Sequence, residues 1–158
     1  MNDLLLHLKY EWEPFTVSGK HLTFAEHKVT RLNRTQCSHL GAVVYKWEGL
    51  LQSGPHAGKI GILIGETGNL RQRIKQYATG TQEQGNAYWR KVFLSIGDIR
   101  LYILRLREAT FGTGESNPIA LDLQDFSSGS RRVAFEQLLV MNEIALNRPN
   151  MWLVNRKL

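Results

Sequence analysis

The chain has 158 residues, 42% of them hydrophobic, and a formal net charge of +6. That is enough for one globular domain with its own core, without metal or disulfide staples, and the basic balance favours a polyanionic partner. Cys37 is the single cysteine, which excludes an intramolecular disulfide and fits a reducing, cytoplasmic compartment. No apolar run approaches the roughly 20 residues of a membrane helix, so no membrane partner is expected. Met1 to Lys9 lacks the basic start and long apolar centre of a signal peptide and reads as a short amphipathic first element.

Residues 1–40 read as an N-terminal extension packed on a core formed by residues 41–158. Pro14, Phe15, Val17, Gly19, Leu22 and Phe24 suggest short extended pieces around a glycine turn, and Thr23 to Asn33 fits a helix or a loop equally. Ala42 to Trp47 is a β-branched and aromatic run, read as a strand ending at Glu48-Gly49. A loop of three glycines and a proline separates it from a second strand, so the two form a long-looped hairpin. Gly54 to Ile60 falls one residue short of a nucleoside-triphosphate loop, with Ile60 where that loop needs a hydroxyl.

The stretch from Lys59 to Tyr77 packs a strand, a turn and a helix into nineteen residues. Ile60, Ile62, Leu63 and Ile64 make the strand, Gly65 to Gly68 turns it, and Asn69 reads as the cap of a helix. Leu70, Ile74 and Tyr77 then share one helical face, and Arg73 lies four residues before Tyr77, close to that face. An arginine in the first turn of a helix, just past the carboxyl end of a strand, can meet a phosphate.

Thr79 to Asn86 reads as a polar loop, and Ala87 to Ile96 as a second short helix with Arg90 and Lys91 outermost. Ile99 to Arg107 alternates as a half-buried strand, and residues 110–130 read as a long excursion. Ser130 is the predicted cap of a last helix, Arg131 to Asn147, with an apolar stripe of Val133, Leu138, Met141, Ile144 and Ala145, stopped by Pro149. The expected fold is α/β: a small sandwich with a central three-stranded antiparallel sheet, made of the hairpin and a third strand and flanked by helices.

Val43-Val44-Tyr45 on the first strand, Leu63-Ile64-Gly65 on the second, and the frame Gly65-x-x-x-x-Leu70-x-x-Arg73-Ile74-x-x-Tyr77 resemble the GIY-YIG nuclease family from about Val43 to Asn150. The resemblance implies a metal-dependent DNA endonuclease or nickase. Phosphodiester hydrolysis needs an activated water, a cation on the phosphoryl oxygens and a metal. By resemblance Tyr45 is the base or orients the water, Arg73 clamps the phosphate, and Tyr77 bonds the phosphate or aligns Tyr45. Glu136 holds Mg2+ or Mn2+, with Glu143 the alternative ligand, and Asn147 or Asn150 fills the family's asparagine role. Lys46, Arg71, Lys75, Arg90 and Lys91 flank this site as candidate DNA-phosphate contacts. Leu63 stands where the family has tyrosine and Glu66 where some members are basic, so a non-catalytic DNA-binding module on the same fold is the alternative. With one nuclease core in 158 residues, specificity is expected from a homodimer or from residues 1–40 and 110–130.

Overall fold

The computed structural model describes residues 4–24, 41–79, 93–94, 98–113, 119–120 and 126–155. Strand β1 (Leu4–Pro14) comes first, followed by a small hairpin of β2 (Thr16–Val17) and β3 (Lys20–His21). Ser18 and Gly19 join the hairpin with φ of 52° and 76°, the doubly positive backbone that matches strand twist in a two-residue turn. Strands β4 (Val43–Leu50) and β5 (Ile60–Thr67) form the predicted long-looped hairpin, Tyr45 opposite Gly65 and Trp47 opposite Leu63. Helix α1 (Leu70–Thr79), β6 (Arg100–Thr113), the two-residue β7 (Ile119–Ala120), helix α2 (Gly129–Leu146) and β8 (Met151–Leu153) complete the order.

The sheet runs β1-β6-β4-β5-β8, with β7 paired to β6. The α/β class and the antiparallel β6-β4-β5 centre agree with the sequence reading. The strand count does not: the sheet is a curled, mixed one of five strands in its main path, with β8 parallel to β5. Its first strand comes from the stretch read as an extension, since β1 pairs with β6 from Leu4 opposite Thr113 to Pro14 opposite Tyr102. The alternation of Leu8, Tyr10 and Trp12 with Lys9, Glu11 and Glu13 marks a strand with one face half-buried. Part of the expected 110–130 excursion is likewise strand, because β6 continues to Thr113 and Ile119 pairs with Phe111. The short helix expected over Ala87 to Ile96 lies mostly outside the described residues.

Because side chains alternate across a strand, β4 and β5 feed two separate cores. Val43, Tyr45, Trp47 and Leu63 point to the face covered by Leu70 and Ile74 of α1 together with Phe15, Leu22 and Phe24. Val44, Ile62 and Ile64 point to the opposite face, where Phe135, Leu139 and Val140 of α2 cover them. Asn69 caps α1 as predicted, its Oδ1 accepting from the Gln72 N–H at 3.0 Å. The cap of α2 is Ser128 and not Ser130; its side chain accepts from the Arg131 N–H, so the helix starts earlier.

The stripe predicted to seat α2 faces outward instead. Val133, Leu138, Met141 and Ile144 are 45%, 36%, 54% and 47% exposed, while Arg132 and Glu143 are buried beside Phe135, Leu139 and Val140. Both buried charges are paired, as burial requires. The Arg132 Nε donates to Glu66 at 2.8 Å and its Nη1 to the carbonyls of Phe126 and Ser127, while Glu143 accepts from Arg148.

Candidate functional site

Tyr45 and Tyr77 do meet. Their hydroxyls lie 2.7 Å apart, with the rings edge to face at a centroid separation of 6.4 Å. The Tyr45 ring lies over Gly65, its partner across the hairpin, and a methyl group there would overlap the Tyr45 hydroxyl. Glycine at this position is therefore a matter of space. Tyr45 is 2% exposed, so its hydroxyl is sealed beneath the half-buried Tyr77. That arrangement suits Tyr45 to positioning Tyr77, and leaves Tyr77 as the phenol of the pair that reaches the surface.

Arg73 sits one turn before Tyr77 on α1, its N–H bonded to the Asn69 carbonyl at 3.1 Å. Its side chain is half-buried, and among the described residues its buried Nε has no hydrogen-bond partner. A buried guanidinium N–H without an acceptor is costly, and an anionic oxygen is the group that would satisfy it best. The indole Nε1 of Trp47 is the other buried side-chain donor without a partner among the described residues.

The proposed metal ligands are elsewhere. Both Glu136 and Glu143 belong to α2, which packs on the sheet face opposite Tyr45 and α1. Glu143 is buried there against Arg148, near enough to Tyr10 that its charge, after burial, helps hold that phenol above the usual tyrosine range. Glu136 lies two turns earlier along much the same flank. The sequence reading placed a glutamate with Tyr45 and Arg73; α2 covers the wrong face for that. Among the described residues no group of three or more His, Cys, Asp or Glu side chains could hold a metal ion.

Lys46 also departs from its expected role. It is 7% exposed on the α2 face, paired with Glu48 and 5.1 Å from the ring centres of both Trp12 and Tyr102. It braces β4 against β1 and β6 and does not point toward the α1 face. Arg71 and Lys75 are exposed on α1, whereas Arg90 and Lys91 lie outside the described residues.

Asn147 ends α2 with φ of 41°, and the Asn150 carbonyl accepts from the Ile60 N–H at 2.8 Å. The asparagine that supports the hairpin is a third one. Asn155 is buried, its Oδ1 accepting from the Ile64 N–H at 2.8 Å and its Nδ2 donating to the Ile64 carbonyl at 2.5 Å. It continues the edge of β5 where β8 stops, one residue upstream of Gly65. Sequence reasoning missed it because no local spacing distinguishes it from Asn147 or Asn150. Glu66 stands out in the sequence only as a departure from the family pattern, and nothing there ties it to Arg132.

A pocket of about 480 Å³ lies at the other end of β5, lined by Lys59, Met151, Leu153 and the stacked rings of His56 and Trp152. It is separate from the tyrosine pair. No family model, no curated protein and no solved structure matches this chain.

Proposed function

We propose that this protein binds the sugar-phosphate backbone of DNA through Arg73 and the half-buried Tyr77, as a non-catalytic module on a GIY-YIG-like fold. One observation carries the reading: Arg73 and the tyrosine pair share the α1 face, while the helix bearing both candidate glutamates lies on the other. An arginine fork beside a phenol can bind a phosphate. Hydrolysis additionally needs a carboxylate to place a metal beside the phosphate, and both candidate glutamates belong to the helix on the other face of the sheet. The +6 charge supports a polyanionic partner.

The specific observation favouring an endonuclease or nickase is the Tyr45–Tyr77 hydroxyl pair seated over Gly65, built from the residues of the resemblance. One set of measurements separates the two. Binding of a labelled duplex, followed by anisotropy against salt, is expected to weaken steeply as salt rises. Arg73→Ala is expected to weaken it several-fold and lower the salt slope by about one contact. Supercoiled plasmid should stay intact in Mg2+ and in Mn2+. Nicking lost in Arg73→Ala and Glu136→Ala would replace the module with the nuclease, and absence of salt-sensitive binding would remove both.

A further inference from the structure

We propose that two copies of this chain pair through β1, antiparallel and in a register centred on Tyr10, joining their sheets edge to edge. The proposal is independent of the DNA reading. Among the described residues β6 is the only strand paired with β1, so among them the other side of this eleven-residue strand has no strand partner. Long edge strands invite such pairing unless blunted by proline, bulge or brevity. Here Pro14 marks only the end, and the bulge beside Lys9 and Tyr10 places its extra residue, Arg107, in β6, leaving β1 continuous.

The side chains select the register. His7 and Lys9 precede Tyr10 on one face, and Glu11 and Glu13 follow it on the same face. Lys9, Glu11 and Glu13 each pair with a residue of β6, Glu108, Arg107 and Arg105 in turn. With Tyr10 opposite its own copy, Lys9 also faces Glu11 of the second copy and His7 faces Glu13, each pair occurring twice by symmetry. Leu8 then meets Trp12 on the other face. A shift by two residues in either direction sets Lys9 against Lys9 or Glu11 against Glu11. A shift by one would place the charged face of one copy beside the helix-covered face of the other. Opposite charges directly across strands stabilise and like charges destabilise, so among face-matched registers near the strand's centre the Tyr10-centred one avoids a like pair.

Sedimentation equilibrium of the whole chain, of Lys9→Glu and Glu11→Lys alone, and of the two variants mixed tests this, with circular dichroism confirming that each variant folds. The wild type should self-associate as a dimer. Lys9→Glu should weaken the dimer about tenfold or more, since it turns two attractions into two repulsions. Mixing Lys9→Glu with Glu11→Lys should restore association, because the mixed dimer regains both cross-copy attractions while each chain's own contact with Glu108 or Arg107 is the same alone and mixed. A wild type that stays monomeric, or a dimer unaffected by Lys9→Glu, would overturn the proposal. So would a dimer lost in Met141→Glu but kept in Lys9→Glu, which would assign the contact to the exposed face of α2.

Discussion

The hydroxyl of Tyr45 reaches that of Tyr77 at 2.7 Å across the seam between β4 and α1. The bond ties the centre of the sheet to the helix that carries Arg73, and it exists only because residue 65 has no side chain. A phenol in the middle of a hairpin thereby fixes where a cation sits on the neighbouring element.

Replacing Gly65 with alanine should therefore act through Tyr45. The new methyl overlaps a buried hydroxyl, and overpacking of this kind costs about 1–3 kcal/mol. Tyr45→Ala removes both the hydroxyl and the ring carbon that the methyl would overlap, so the double variant should be more stable than the sum of the singles predicts. A denaturant-melt cycle checks it: additive effects would mean that Gly65 is needed for backbone reasons alone.

Asn155→Ala should lower stability by about 2–3 kcal/mol, because it orphans the Ile64 N–H and weakens the edge of β5 at once. Asn155→Asp keeps the size but turns the donor into a repelled acceptor facing the Ile64 carbonyl, and should cost at least as much at neutral pH. Chemical denaturation measures both. Exchange of the Ile64 amide should accelerate in each variant relative to its neighbours in β4.

Stability should fall as the solution becomes strongly alkaline. Burial and then the Glu143 charge raise the Tyr10 phenol above its ordinary value of 10.0, and burial and then Glu48 do the same for Tyr102. In each case the folded state holds its proton in a range where the unfolded chain has released it. The sign follows from linkage: stability is full below pH 10 and is lost as pH rises through the folded values. Tyr10→Phe should flatten that decline, measured as unfolding free energy against pH from 9 upward. An unchanged slope would mean that Tyr10 is not held protonated by its surroundings.

The parts legible in the sequence were those governed by local chemistry. Val43 to Trp47, Ile60 to Ile64 and the Asn69 cap announce themselves through β-branching, glycine and a capping side chain, and they appear where predicted. The meeting of Tyr45 with Tyr77 is one of the two roles that the resemblance implies for Tyr77. The orientation of α2 was not legible, because this helix is apolar on most sides. Val133, Met141 and Ile144 look as buriable as Phe135, Leu139 and Val140. The choice is made by Arg132 and Glu143, two charges that sequence statistics place outside and that go inside by finding Glu66, two carbonyls and Arg148. Such partners are distant along the chain, as β1 is from β6, and no periodicity reports them.

The pairing of Leu4 to Pro14 with Tyr102 to Thr113 also sets an order on synthesis. The first strand leaves the ribosome with its half-buried face unmatched and waits for about 100 residues before its only described neighbour exists. At about 5–20 residues per second this is a delay on the order of ten seconds. Over that interval Leu8, Tyr10 and Trp12 are open to chaperones and to neighbouring nascent chains, so β1 is made well before it can become native.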